Sequence, residues 1–184
     1  MKPIDLKLKF AQRYSGFISK IPLTPNQVTT LAWVFAVLSV YFIYKGFLVL
    51  ASIFVFLMWL CDVVDGAIAR VKNQASLFGN FYDWFTDKCV EAIVLFSLRF
   101  VDPSGLPEIA SVLSLVLGCI GAKAESLRVD HDIGAWSKLT RAPVLVLLLV
   151  SGYVHEGLLL YSGILLGSIV VRLIDVEAEL RCRQ

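Results

Sequence analysis

The chain has 184 residues, 58% of them hydrophobic and only 17% charged, with a mean hydropathy of +0.75. Soluble domains are far less apolar, so the bilayer is the expected solvent, and the spans it requires leave no length for a separate soluble domain. A formal charge of +2 is too small to point to a nucleic-acid partner, and Cys61, Cys89, Cys119 and Cys182 show neither paired metal-ligand spacing nor a disulfide frame.

In chain order, residues 4–20 interleave Leu, Phe and Tyr with Lys and Arg, which predicts an interfacial amphipathic helix rather than a cleavable signal. Pro22 and Pro25 interrupt the backbone, and Thr24-Pro25-Asn26 has the form of a helix start, a polar cap before a proline in the first turn. Apolar runs then predict six spans at about 28–44, 47–69, 81–98, 109–124, 142–154 and 158–175. The fifth is short unless it extends back into the charged loop before it. Lys45-Gly46 and Asp102-Pro103-Ser104-Gly105 supply turns, and 70–80 reads as a polar loop. The expected fold class is therefore all-α, a polytopic membrane protein with six transmembrane helices forming one domain over 1–184.

The basic residues give this topology an orientation. With six spans, Lys2, Lys7, Lys9, Arg13, Lys20, Arg70, Lys72, Arg128, Lys138, Arg141, Arg181 and Arg183 all fall on one side, while the opposite loops hold little beyond Lys45 and Arg99. By the positive-inside rule that side is cytoplasmic.

Four aspartates stand near that face. Asp62 and Asp65 are three residues apart and Asp83 and Asp87 four apart, so each pair shares one face of its helix. The two helices follow one another in the chain and run antiparallel, so all four carboxylates can converge. A charge within the membrane costs ~2.5 kcal/mol or more, and Arg70 with Lys88 cannot neutralise four. One or two divalent ions with hard oxygen ligands can, and such a site suits phosphoryl-group transfer. Gly66 and Ala69 leave the helix surface near Asp65 free of bulk, and Arg70 offers a bidentate cation for phosphate. Glu91 continues the Asp83–Asp87 face by one turn, where it could support the aspartates from behind or pair with Lys88, and the ion pair is the preferred reading.

The run Asp62-Val-Val-Asp65-Gly66-Ala-Ile-Ala69-Arg70, eight residues, Gly79, three residues, Asp83, three residues, Asp87 resembles the complete signature of the CDP-alcohol phosphatidyltransferases. That resemblance implies a membrane homodimer, with Mg²⁺ or Mn²⁺, two ions in all, bound by Asp62, Asp65, Asp83 and Asp87. It implies that Asp87 is also the general base, and that Asp62, Gly66, Ala69, Arg70 and Gly79 surround the CMP part of a CDP-linked lipid donor. Thr24, Pro25, Asn26 and Thr29 resemble the family's N-terminal stretch beside the nucleotide, and read equally well as a helix cap.

Lys123, Arg141 and Arg172 fall on three further spans toward the same face, where they could grip an acceptor phosphate or simply snorkel to the interface. Their placement resembles that in family members that use inositol phosphate, and Gly121-Ala-Lys-Ala-Glu125-Ser-Leu-Arg128 is similar to a stretch in members that use inositol phosphate or glycerol phosphate. The expected reaction is transfer of a phosphatidyl-type or ether-lipid group to a phosphorylated polyol, with release of CMP. Transfer to a free alcohol such as serine is the alternative within the family. A divalent-cation transporter is the alternative outside it, although the clustering toward one face and the lack of an inverted repeat count against transport.

Overall fold

The computed structural model describes residues 15–20, 22–127, 129 and 138–183, and among them all regular structure is helical. Most of the amphipathic helix expected over 4–20 lies outside the described residues; Ser15–Ile18 forms a single helical turn. Six helices follow: α1 Pro25–Tyr44, α2 Leu48–Val71, α3 Leu77–Ser97, α4 Leu106–Ser126, α5 Lys138–Ser151 and α6 Val154–Cys182. A 3₁₀ turn over Leu98–Phe100 extends α3.

The helices overrun the expected spans, most clearly at their polar ends. Ser76 caps α3, its hydroxyl accepting from the Gly79 N–H at 3.0 Å, so this helix starts four residues before the apolar run suggested. The fifth helix does reach back to Lys138, and the sixth runs on to Cys182. By length and composition α1, α2, α4 and α6 are able to cross a membrane. The others depart from a simple span for identifiable reasons: α3 carries Asp83, Asp87, Lys88 and Glu91, and α5 has only 14 residues. The chain is an integral membrane protein, and its outer surface suits lipid. Val37, Tyr44, Phe47, Val112, Leu147 and Leu160 are all more than half exposed, a density of apolar side chains that water would not tolerate.

Packing closes the helices into a ring in the order α1, α2, α5, α6, α4, α3 and back to α1. Small residues line the seams, as expected where lipid gives no hydrophobic push between helices. Ser39, Ser52, Ser97, Ser111, Ser114, Ser162 and Ser168 are buried together with Ala32, Ala36, Ala51, Ala67 and Ala110. Several hydroxyls satisfy themselves on their own helix, as Ser52 does on Val49 O at 2.7 Å, while Ser111 of α4 reaches Ala92 O of α3 at 2.6 Å. Although α2 and α3 are chain neighbours, they barely touch. Helix α1 packs against both, leaving a gap between the two aspartate-bearing helices.

Candidate active site

The entrance is built from the first turn of α1. Thr24 and Gln27 form a reciprocal capping box, with Thr24 N donating to Gln27 Oε1 at 2.8 Å and Gln27 N to Thr24 Oγ1 at 3.4 Å. This fixes the register that turns Thr29 inward. The Thr29 hydroxyl lies 3.1 Å from Pro25 O and 2.6 Å from Asp65 Oδ2. A hydroxyl has one proton, and the shorter contact to a carboxylate takes it.

Asp62 and Asp65 of α2 and Asp83 and Asp87 of α3 all line one small cavity, with Thr29, Ala32, Met58, Trp59, Thr86 and Val90 completing its wall. The Trp33 indole N–H donates to Thr86 Oγ1 at 3.1 Å, tying α1 to α3 at a residue of the cavity wall. Asp65 is 3% exposed, and its Oδ1 is buried without a hydrogen-bond partner. An orphaned carboxylate oxygen among three more carboxylates is the donor chemistry of a hard divalent cation, so the residues fit the expected metal. Among the described residues, no three acidic, histidine or cysteine side chains already stand in closed metal-ligating geometry. The physical reason is the gap between α2 and α3, across which the two pairs face each other.

A second, open groove of about 620 Å³ adjoins the first and shares Thr29, Asp65 and Asp83 with it. Pro25, Asn26, Gly66, Ala69, Arg70, Gln74, Ala75, Ser76, Gly79 and Asn80 line the rest. Every residue expected around the nucleotide is thus on one of the two walls except Thr24, whose side chain serves the α1 cap instead. Gly66 lies on the groove wall beside Arg70. The Arg70 guanidinium folds back along α2 beside it, 3.4 Å from where a Cβ on Gly66 would stand, which is ordinary contact distance. At Gly79 a Cβ would come within 2.9 Å of Ser76 Oγ and 3.2 Å of Asn26 Oδ1, crowding the α3 cap and the groove wall at once.

The expected Lys88–Glu91 pair is replaced by two others. The Lys88 ammonium bonds Asp87 Oδ2 at 2.9 Å. Glu91 Oε1 instead accepts from Arg141 Nη1 at 3.1 Å and from the Tyr161 hydroxyl at 2.8 Å. On α3, Lys88 turns toward α4, where Gly118 makes room for it, while Glu91 faces the ring interior. The three residues expected to hold the acceptor phosphate differ in setting: Lys123 is exposed on α4, Arg141 is buried on α5, and Arg172 of α6 donates to Leu117 O of α4 at 3.3 Å. Tyr161 and Thr29 are the partners sequence reasoning did not foresee, Tyr161 because a tyrosine in an apolar run gives no local signal of the carboxylate it meets.

Comparison with known proteins places this geometry. A family model described as CDP-alcohol phosphatidyltransferase matches residues 22–174. An uncharacterized protein of Aquifex aeolicus is 30% identical over 162 residues, covering 84% of this chain and 81% of that protein. The archaetidylinositol phosphate synthases of Pyrococcus horikoshii and Methanothermobacter thermautotrophicus are 31% and 28% identical over 87 and 94 residues, just under half of each protein at 46% and 48%. Two crystal structures of phosphatidylinositol phosphate synthase from Mycobacterium tuberculosis share the fold. The one with CDP-DAG bound has a TM-score of 0.74 at 22% identity, covering 91% of this chain and 94% of that one. The one in complex with manganese and citrate has a TM-score of 0.75 at 23% identity, covering 90% and 88%.

Proposed function

Because the chain belongs to the CDP-alcohol phosphatidyltransferase family, and is a transferase of that class, we propose that it moves the lipid-phosphate group of a CDP-linked lipid onto inositol phosphate, releasing CMP. The observation that carries this reading is the continuity of two cavities: one is lined by all four aspartates, and the other by Gly66, Ala69, Arg70 and Gly79. The nucleotide end of the donor fits the open groove, which brings its lipid-bearing phosphorus to the junction of the two cavities, at the Thr29 hydroxyl and the Asp65 and Asp83 carboxylates. Relatives named archaetidylinositol phosphate synthase support inositol phosphate as the acceptor, and so do the cations on α4, α5 and α6.

Asp62, Asp65, Asp83 and Asp87 would hold Mg²⁺ or Mn²⁺, in two ions; when bound, the metal supplies charge for the phosphoryl oxygens and the leaving CMP. Thr29 holds Asp65 in place through its 2.6 Å bond. Arg70 faces the donor phosphates from the groove wall, a fork suited to their oxygens. Asp87 takes the proton of the acceptor hydroxyl; the acceptor oxygen bonds to the lipid-bearing phosphorus while the phosphorus–oxygen bond to CMP breaks. Lys88 steadies the Asp87 carboxylate from the side. The basic loops favour a cytoplasmic site, and six spans and a homodimer complete the proposed form.

The test is CMP release by purified protein with Mg²⁺ and a CDP-lipid. Release should depend on added inositol phosphate, and Asp87→Asn should abolish it while the protein stays folded. Turnover with free serine but not inositol phosphate would sink the acceptor, and metal flux without CMP release would point to transport.

A further inference from the structure

A polar network inside the ring goes unused by the mechanism above. Glu91 of α3, Arg141 of α5 and Tyr161 of α6 are 6%, 5% and 1% exposed, so three helices bring two charges and a phenol into a nearly dry interior. The contacts are specific: Arg141 Nη1 to Glu91 Oε1 at 3.1 Å, and Tyr161 Oη to the same oxygen at 2.8 Å. An unassisted buried ion pair contributes little to stability, because desolvation offsets its attraction. A structural staple between α3 and the opposite helices could be made more cheaply from apolar side chains.

The network is also incompletely paired, and on the cationic side as well as the anionic one. Arg141 Nε and Glu91 Oε2 are both buried without a hydrogen-bond partner. Glu91 lies one helical turn beyond Asp87 on α3. The guanidinium is therefore held by one nitrogen on a fixed carboxylate, beside the aspartate cluster, with donor capacity left over.

We propose that Glu91 and Tyr161 are positioning residues for the acceptor: Tyr161 orients the Glu91 carboxylate, Glu91 holds one edge of Arg141, and the remaining guanidinium donors face the phosphate of the incoming polyol. This rests on the reading of the acceptor as a phosphorylated polyol. A bidentate cation grips a phosphate best if its plane is fixed beforehand, and the Glu91 carboxylate fixes one edge of Arg141. The network also couples acceptor binding to the helix that carries Asp87, since Glu91 and Asp87 move together on α3.

The experiment uses the full chain in detergent or nanodiscs, with Mg²⁺ and a CDP-lipid, and steady-state kinetics in both substrates. Wild type is first compared with inositol phosphate, glycerol phosphate, free inositol and serine; use of an unphosphorylated alcohol alone overturns the acceptor reading before any variant is made. With a phosphorylated acceptor, Tyr161→Phe and Glu91→Gln are each expected to raise the acceptor KM roughly tenfold. kcat at saturating acceptor and the KM for CDP-lipid should change by less than about twofold. The effects of Tyr161→Phe and Glu91→Gln should be less than additive, because both act through Arg141. Tyr161→Phe keeps the ring and shape, so it reports even where Glu91→Gln fails to fold. A lowered Tm with both KM values unchanged would show a structural staple only and overturn the proposal, as would equal losses for donor and acceptor.

Discussion

At the scale of single residues, the site depends on which oxygen has a partner. Asp65 has one oxygen bonded by Thr29 and the other orphaned in a buried setting. Replacing Thr29 by Val keeps the volume but leaves a second buried oxygen unsatisfied, at a cost of about 1–3 kcal/mol. Loss of a residue that orients a metal ligand lowers metal affinity by roughly 10–100-fold. The expected outcome for Thr29→Val is therefore a rise of that order in the Mn²⁺ concentration needed for half-maximal CMP release, with Thr29→Ser restoring most of it. An unchanged metal requirement would show that Thr29 serves packing alone. Asp65 was legible as a candidate ligand from the Asp62 and Asp65 spacing, whereas Thr29, 36 positions earlier, was legible only as part of the stretch expected beside the nucleotide and not as the partner of Asp65.

At the scale of helices, α4 decides where two cations can lie. A Cβ on Gly118 would fall 2.7 Å from Lys88 Cδ, and one on Gly121 2.5 Å from Arg172 Nη1. Both glycines sit on one side of α4, so a side chain from α3 and another from α6 can cross its surface. Gly118→Ala should push Lys88 off the helix and loosen its 2.9 Å bond to Asp87. For a partly buried pair the loss is about 1 kcal/mol, roughly fivefold in kcat. The KM for CDP-lipid should not move, and Gly118→Ala added to Lys88→Met should cost no more than Lys88→Met by itself. Additive losses would mean that Gly118 serves helix packing instead.

At the scale of the whole molecule, the ring is tied at the end away from the aspartates as well. Asp102, after the 3₁₀ turn, accepts from Ser104 N at 3.1 Å and lies 3.0 Å from His155 Nδ1 at the start of α6. Burial works against the charge on Asp102, but its bonds to Ser104 and His155 outweigh that and hold the carboxyl below its ordinary range. A carboxyl depressed in the folded state adds stability above its unfolded pKa, and that contribution disappears as pH falls through the folded one. Asp102→Asn should therefore lower Tm at pH 7 by about 2–4 °C, the equivalent of roughly 1 kcal/mol. The gap between variant and wild type should close on acidification. A constant gap from pH 7 down to strongly acidic conditions would show that the charge plays no part.

The sequence by itself determined the solvent, the helical class, the convergence of four aspartates and the family. Each of these is written in local pattern: apolar runs long enough to span, i to i+3 and i+4 carboxylates, and a fixed series of Asp, Gly, Ala and Arg. Tertiary structure decided the rest, because it depends on residues far apart in the chain. Only folding puts α1 between α2 and α3, so that the four aspartates line a cavity instead of pressing together. Only the ring brings Glu91 to Arg141 and Tyr161, 50 and 70 positions away, instead of to Lys88 three residues back. A helix fixes which way a side chain points, but its partner is set by whichever helix packs on that face.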